Sequence, residues 1–543
     1  MKDIILDEDG VFVEIDSPGS ETKRFGPLKP VVEKERLIIN LEEQLQVNDI
    51  EEQLQVNDII RIQIDYIKKY DLLEDTDYVF VKYNYRRKPD GEEKWLAVSK
   101  SGAINARKLY PCIDEVALKA KFYVQVVRNR NSISLSNSYI NAEDVVESPV
   151  EEIVQVVAEP YRVTSDLSTF SIGIVVGDLK LKSVVDDERS WTEIRIWADE
   201  AVIEHMDFAR DTTLTIFNFY REYFNSIHDA FKIDIAALPF YGQVDKWKYG
   251  LIILEESFIS NPSPSNEVRE IEIALMLCDV FCHQYFGPQT TLSTWSENWL
   301  NMGLALFFRI PCLENIFPEK ETSIVNIHLV ESFIRVLAVE AEMKSRPLMI
   351  PDSRIHLTNL FEDTMLAETA YFLVRMMSHF LGKAVFHEQV KNYIVDFKFK
   401  VTSLEQLWER FPLGKDNGKL PSDDITFKDI MNSWTSKSGF AHIKITRISG
   451  KKLVRIQQEL PAASNGNDFP RIIPLNFVKN ISDKKSKSSK KSNQDVKKSK
   501  SLRKSNREET VQYWLQSDPI EIYVEKNKWI VLDSRLDGEL ALV

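Results

Sequence analysis

The sequence predicts a multidomain α+β protein, from three observations. At 543 residues the chain is long enough for three or four domains, each with an ordinary core. Its composition, 43% hydrophobic and 28% charged, is that of a globular protein. The residue pattern also changes along the chain: short β-type runs, then a stretch of helical periodicity, then β-type runs again from His442.

The net charge of -14 hides an asymmetry. Lys479–Arg507 holds twelve Lys and Arg against Asp483 and Asp495, so this tract carries +10 and the remainder -24. An acidic body argues against general nucleic-acid binding. The tract has too little apolar area to fold and reads as a disordered loop, 479–507, with nuclear import or contact with an anionic partner as its functional alternative. The opening residues MKDIILDEDGVFVEID lack a basic segment followed by an apolar run, and no uninterrupted 18-residue apolar segment occurs. A cytoplasmic protein with no membrane segment is expected, with nuclear location as the alternative. Four cysteines (Cys112, Cys278, Cys282, Cys312) do not make a disulfide framework.

Taken in order, β-type runs lie at Arg36–Leu41, Ile59–Tyr66, Tyr78–Tyr83, Trp95–Val98 and Phe122–Val127. Among them sits a tandem repeat, EEQLQVNDI at Glu42–Ile50 and again at Glu51–Ile59. Nine is odd, so in a strand the second copy would turn its side chains to the opposite face; a looped-out or bulged local duplication is expected. Next comes the helix ending at Gly287-Pro288: Ile271, Ala274, Leu275, Cys278, Phe281 and Cys282 recur every three or four residues, and Asn266 or Ser265 can cap its start. Asp279 and His283, four apart, share one face. From His442 the pattern turns to strands again, at His442–Ile448, Leu453–Gln458, Ile520–Val524 and Trp529–Leu532.

His283-Gln284-Tyr285-Phe286-Gly287 resembles the His-Gln-Trp-Phe-Gly of gluzincin aminopeptidases of the aminopeptidase N type. Sixteen residues past His283 begins a stretch, Trp299-Leu300-Asn301-Met302-Gly303, that is similar to the family's Trp-Leu-Asn-Glu-Gly, with Met302 nineteen past the histidine. Asn105–Glu115 and Leu118–Phe122 resemble the end of the family's N-terminal β-domain, Ser168–Asp178 and Glu193–Ala198 the strands opening its thermolysin-like domain, and Ile235–Pro239 with Tyr249–Ile252 the strand on either side of its Gly-Ala-Met-Glu-Asn motif, whose five positions fall on Val244, Asp245, Lys246, Trp247 and Lys248. Glu368–Phe380 resembles a later helix of that domain, and Leu404–Phe411 and Ile430–Phe440 its closing helices. The resemblance spans roughly residues 36–543. It implies an N-terminal β-sandwich-like domain (1–160), a thermolysin-like α/β domain (161–436) and a small C-terminal β-sandwich (437–543) interrupted by 479–507. It further implies that strands usually found upstream of Leu37 are missing, and that the family's helical C-terminal domain is absent. A fragment or mis-spliced product of a longer gene is an alternative source of those truncations.

In this family a His-Glu-x-x-His helix supplies two zinc ligands and a general base. The matching frame here is Asp279-Val280-Phe281-Cys282-His283. The resemblance places the second ligand at His283, the first at Asp279, the base at Val280 and the third ligand at Met302. Trp247 stands where a glutamate grips the substrate's amino group, and Ala367 where a tyrosine stabilises the oxyanion. Without zinc a bound water keeps a pKa near 15.7 rather than about 7. A missing general base costs about 10²–10⁴ in rate, and a missing oxyanion donor about 10²–10³.

The resemblance therefore implies a non-catalytic homologue, a pseudoenzyme without zinc or other cofactor, that binds a peptide or a protein partner, as a monomer. The alternative is a working zinc aminopeptidase removing N-terminal residues from peptides, which would require a third ligand and a different base. Three local expectations follow. Trp247, Val280 and Met302 partly fill the old cleft with their side chains. Asp279 and His283 pair with each other on the helix face. Cys278 and Cys282 are small core residues, the alternative being a thiophilic metal held with His283.

Overall fold

The computed structural model describes residues 4–542 except 17–22, 26–29, 34–35, 40–58, 69–79, 87–90, 92, 101, 152–153, 188–191, 226–231, 240, 242–243, 264–265, 320–329, 339–345, 350–363, 412–420, 422–423, 438–440, 460–469, 480–512, 525–529 and 533–540. The first copy of the nonapeptide repeat and all but the last residue of the second lie outside the described residues, as does the Lys/Ser tract beyond Lys479.

The N-terminal part is built of antiparallel strands. Ile4–Asp16 pairs on one side with Lys23–Phe25 and on the other with Ile59–Lys68. With Pro30–Glu33, this places three strands upstream of Leu37, correcting the expectation that upstream strands are missing. The sequence pattern concealed the longest of them because Asp7-Glu8-Asp9-Gly10 interrupts its alternation, and the pairing register shifts between Leu6 and Val11. A second sheet runs in the order Ile133–Ser136, Ile174–Gly177, Lys94–Ser99, Phe80–Tyr85. Ser168–Asp178 therefore does not open the central sheet as expected; its strand at Ile174–Gly177 is sandwiched between N-terminal strands. Leu96 and Val98 from one strand and Val175 from its neighbour pack into a single buried cluster there, and burial fixes the pairing.

The central sheet has five strands: β1 (Lys180–Asp187), β2 (Thr192–Ala198), β3 (Lys232–Leu238), β4 (Val244–Asp245) and β5 (Leu251–Glu255), in the order β1-β2-β3-β5-β4. Strand β3 is parallel to both neighbours and buried at all seven residues, which explains its near-continuous apolar run. Its two charged residues are balanced internally. Asp234 accepts from Arg195 Nε (2.6 Å), Trp197 Nε1 (2.8 Å) and Lys232 Nζ (2.6 Å), and Lys232 also donates to the Ser136 carbonyl of the preceding sheet. This buried network ties the N-terminal sheet to the central one.

Helices α1 (Asp207–Phe224), α2 (Glu267–Tyr285), α3 (Trp299–Ile316), α4 (Thr364–Leu381) and α5 (Lys383–Asp396) form the α layer, followed by α6 (Leu404–Trp408) and α7 (Phe427–Thr435). Helix α3 approaches α4 closely at Gly303, where a Cβ would sit 2.8 Å from the backbone of Ala370. The C-terminal strands pair in the order Ile520–Tyr523, Leu453–Glu459, Ala441–Arg447, Ala541–Leu542, with two further two-stranded sheets beside them. The Trp434 indole of α7 donates to the Ile472 carbonyl and fastens this part to the helices.

Candidate functional site

Helix α2 is the floor of the site. Asn266 caps it, its side chain accepting from the Arg269 amide, and from Ile273 to Tyr285 every residue but Met276 is buried. A helix buried on all sides is normally apolar on all sides, so its polar residues require partners. Gln284 is fully satisfied: its Oε1 accepts from the Gly250 amide (2.9 Å) and its Nε2 donates to the carbonyls of Lys246 (3.3 Å) and Lys248 (3.2 Å). It thereby locks the helix to the segment joining β4 and β5.

Asp279 and His283 are arranged differently from the expected pair. The Asp279 carboxylate takes an ion pair from Lys246 Nζ at 2.7 Å, while His283 Nδ1 lies 2.9 Å from the backbone carbonyl of Asp279 and 3.6 Å from its carboxylate. The pair is also buried, so it does not lie on a solvated helix face. Burial opposes the Asp279 charge, yet Lys246, with His283 and Arg309 behind it, holds the carboxyl well below the usual carboxylate range. Burial first, and then the Lys246 charge, pushes His283 down to about 3, so its imidazole is neutral at physiological pH. With Nδ1–H donated to the backbone carbonyl, Nε2 carries the lone pair. Among the described residues, neither that Nε2 nor Asp279 Oδ1 has a hydrogen-bond partner.

The wall over these groups is Val244–Lys248. Trp247 is 2% exposed and meets the His283 ring edge-on, centroids 4.8 Å apart. It also lies against Gly287, whose φ of +123° and a missing Cβ, which would fall 2.5 Å from the indole, leave room for the ring. Lys248 is fully buried, paired with Asp245 at 3.0 Å and donating to the Ile172 carbonyl. Val280 and Met302 are buried within the same cluster of apolar residues, and Ala367, in the first turn of α4, is partly buried at its margin. The structure thus brings together Trp247, Asp279 and His283, with Val280 and Met302 in the surrounding core. The sequence reading set Lys246 among the five motif positions without giving it a role. The available signal was two lysines, 246 and 248, flanking a buried tryptophan, since buried ammonium groups require carboxylate partners.

Cys278, Cys282 and Cys312 are buried and unbridged, and burial pushes the thiols of Cys278 and Cys282 well above their ordinary range, as expected of small core residues. As a zinc site the donor set does not fit. One oxygen of Asp279 is committed to an ammonium, His283 offers one nitrogen, and Met302 contributes only a neutral thioether. Among the described residues, no group of three His, Cys, Asp or Glu side chains is disposed to hold a metal ion.

Two family models match this architecture: the Peptidase M1 N-terminal domain over residues 4–159 and the Peptidase family M1 domain over residues 208–434. The chain belongs to the M1 peptidase family. Among similar proteins, aminopeptidase N of Rattus norvegicus is 26% identical over 472 residues, covering 82% of this chain and 44% of that protein. Endoplasmic reticulum aminopeptidase 1 of Mus musculus is 26% identical over 453 residues, covering 78% of this chain and 47% of that protein. Aminopeptidase N of Homo sapiens is 28% identical over 368 residues, 66% of this chain and 37% of that protein. The chain spans less than half the length of these curated relatives. The M1 match begins one residue into α1 and ends within α7, so the whole helical floor of the site belongs to the family's peptidase domain. Among the described residues, no helix is long and apolar enough to cross a membrane.

Proposed function

We infer that this chain is a non-catalytic M1 homologue, without resident zinc, whose retained scaffold binds a peptide or protein partner or regulates an active relative. The observation that carries this reading is the 2.7 Å ion pair between Lys246 and Asp279. A lysine ammonium supplies the positive charge that a metal would bring, satisfies the carboxylate that would bind it, and offers nothing that lowers the pKa of water. Three neighbouring facts point the same way. The general-base position is Val280, the third-ligand position is Met302, and Trp247 covers the imidazole edge-on.

Family membership favours one other reading, a zinc aminopeptidase acting through unrecognised ligands. Incubation of the purified full chain with a panel of aminoacyl-coumarin amides separates the two. The pseudoenzyme reading expects release no faster than buffer alone, with or without added zinc. Turnover that disappears in His283→Ala would establish the aminopeptidase instead.

A further inference from the structure

A cavity of about 450 Å³ lies away from the site, between the C-terminal end of α1, the second half of α3, and the junction of α4 with α5. That is the size range of small-molecule sites. None of the residues at the degenerate peptidase positions lines it. Its origin is legible in α3: Pro311 cannot donate to the carbonyl of Phe307, which interrupts the helical ladder at the turn forming one wall.

The inner wall is aromatic, formed by the buried side chains of Phe308, Tyr371 and Phe386 together with Phe307. The mouth is at Lys383 and Ala384, both exposed, where the first turn of α5 follows Gly382, a residue with no side-chain cap to offer. Arg375 and Glu314 also line the cavity. One turn beyond Lys383 on the same face of α5 is His387, its ring packed at a tilt of 30° against Tyr223 with centroids 4.0 Å apart. His387 is hydrogen-bonded to the Tyr223 backbone, and burial lowers its pKa, which favours the neutral imidazole. Its Nε2 is buried and has no hydrogen-bond partner among the described residues. With the other nitrogen engaged on the backbone, Nε2 is an acceptor awaiting a donor.

An aromatic chamber, a cation at its mouth and an unmet acceptor one helical turn away define the ligand. We propose that this cavity binds an apolar α-amino-acid unit bearing a free carboxylate: side chain against Phe308, Tyr371 and Phe386, carboxylate at Lys383, and the adjacent N–H on His387 Nε2. Such a unit is either a free amino acid or the C-terminal residue of a peptide. N-acetyl-L-phenylalanine stands in for the second and L-phenylalanine for the first.

Calorimetric titration of the full chain tests this. Saturable binding of either compound is expected, and the one that binds names the source. L-phenylalanine amide, lacking the carboxylate, should bind at least about tenfold more weakly than the preferred compound, as should that compound to Lys383→Glu, the size of one lost charge-assisted contact. Ala384→Trp, which fills the exposed mouth without touching the core, should abolish binding, and circular dichroism of both variants should match the parent. Absence of binding by both carboxylates, equal binding of the amide, or binding that survives Ala384→Trp would overturn the proposal.

Discussion

Gln284 and Asp279 are both polar side chains buried on α2, five residues apart, and they reach satisfaction by different means. Gln284 meets neutral backbone groups on Gly250, Lys246 and Lys248, with both ends of its amide used. Asp279 meets a charge, Lys246, through one oxygen, while its other oxygen and the nearby His283 Nε2 have no hydrogen-bond partner among the described residues. The first pattern is that of a scaffold, in which each donor and acceptor has a partner. The second is that of a site whose net charge is balanced while its directional bonding is incomplete. The difference teaches that fastening the helix to the sheet and holding the Asp279–His283 pair are separable tasks of one helix.

The largest expected effect breaks the charged half. Lys246→Met leaves a buried carboxylate without its counter-ion and should destabilise the helical domain by about 3–5 kcal/mol, whereas Lys246→Met combined with Asp279→Leu should recover most of that loss. Hydrogen exchange of the α2 amides reads both variants. A double variant as unstable as the single would mean that the ion pair is not the term at stake.

The neutral half should give a smaller response. Gln284→Leu strands the Gly250 amide and two carbonyls, at a cost of about 1–3 kcal/mol in urea-induced unfolding, with no change in its pH dependence. A neutral result would show that Gln284 is dispensable to the helix–sheet junction.

The smallest effect is in pH. The folded-state pKa of His283, about 3, lies below the ordinary histidine value of about 6.5, so between those values the unfolded chain binds the extra proton. Stability from this group is therefore fully present above about pH 6.5 and lost as pH falls toward 3. From pH 7 to pH 5.5 the loss should be about 1 kcal/mol, and His283→Phe should lack that increment when the two unfolding curves are subtracted. An identical slope in the variant would contradict a neutral buried imidazole.

Much of this was legible before the structure. The i,i+4 relation of Asp279 and His283, the cap at Asn266 and the stop at Gly287-Pro288 are local properties, and the helix obeyed them. Trp247, Val280 and Met302 are buried, and apolar residue types of that bulk are legible as core residues from the sequence. What was not legible depends on chain segments meeting from a distance. The Lys246–Asp279 pair joins residues 33 positions apart, one on the segment between β4 and β5 and one on a helix, and no local pattern specifies it. The strand at Ile4–Asp16 was missed because an acidic turn-like run breaks its periodicity, while the longer of its two partners, Ile59–Lys68, lies far along the chain. The sheet membership of Ile174–Gly177 followed from burial with Leu96 and Val98, again a distant contact.

The claim on which the rest stands is that an ammonium has replaced the metal, and the zinc content of the intact purified chain, measured by mass spectrometry after purification without chelators, tests it most directly. The account predicts well under one zinc per chain, unchanged by Asp279→Ala. One tightly held zinc per chain, lost in both Asp279→Ala and His283→Ala, would contradict it.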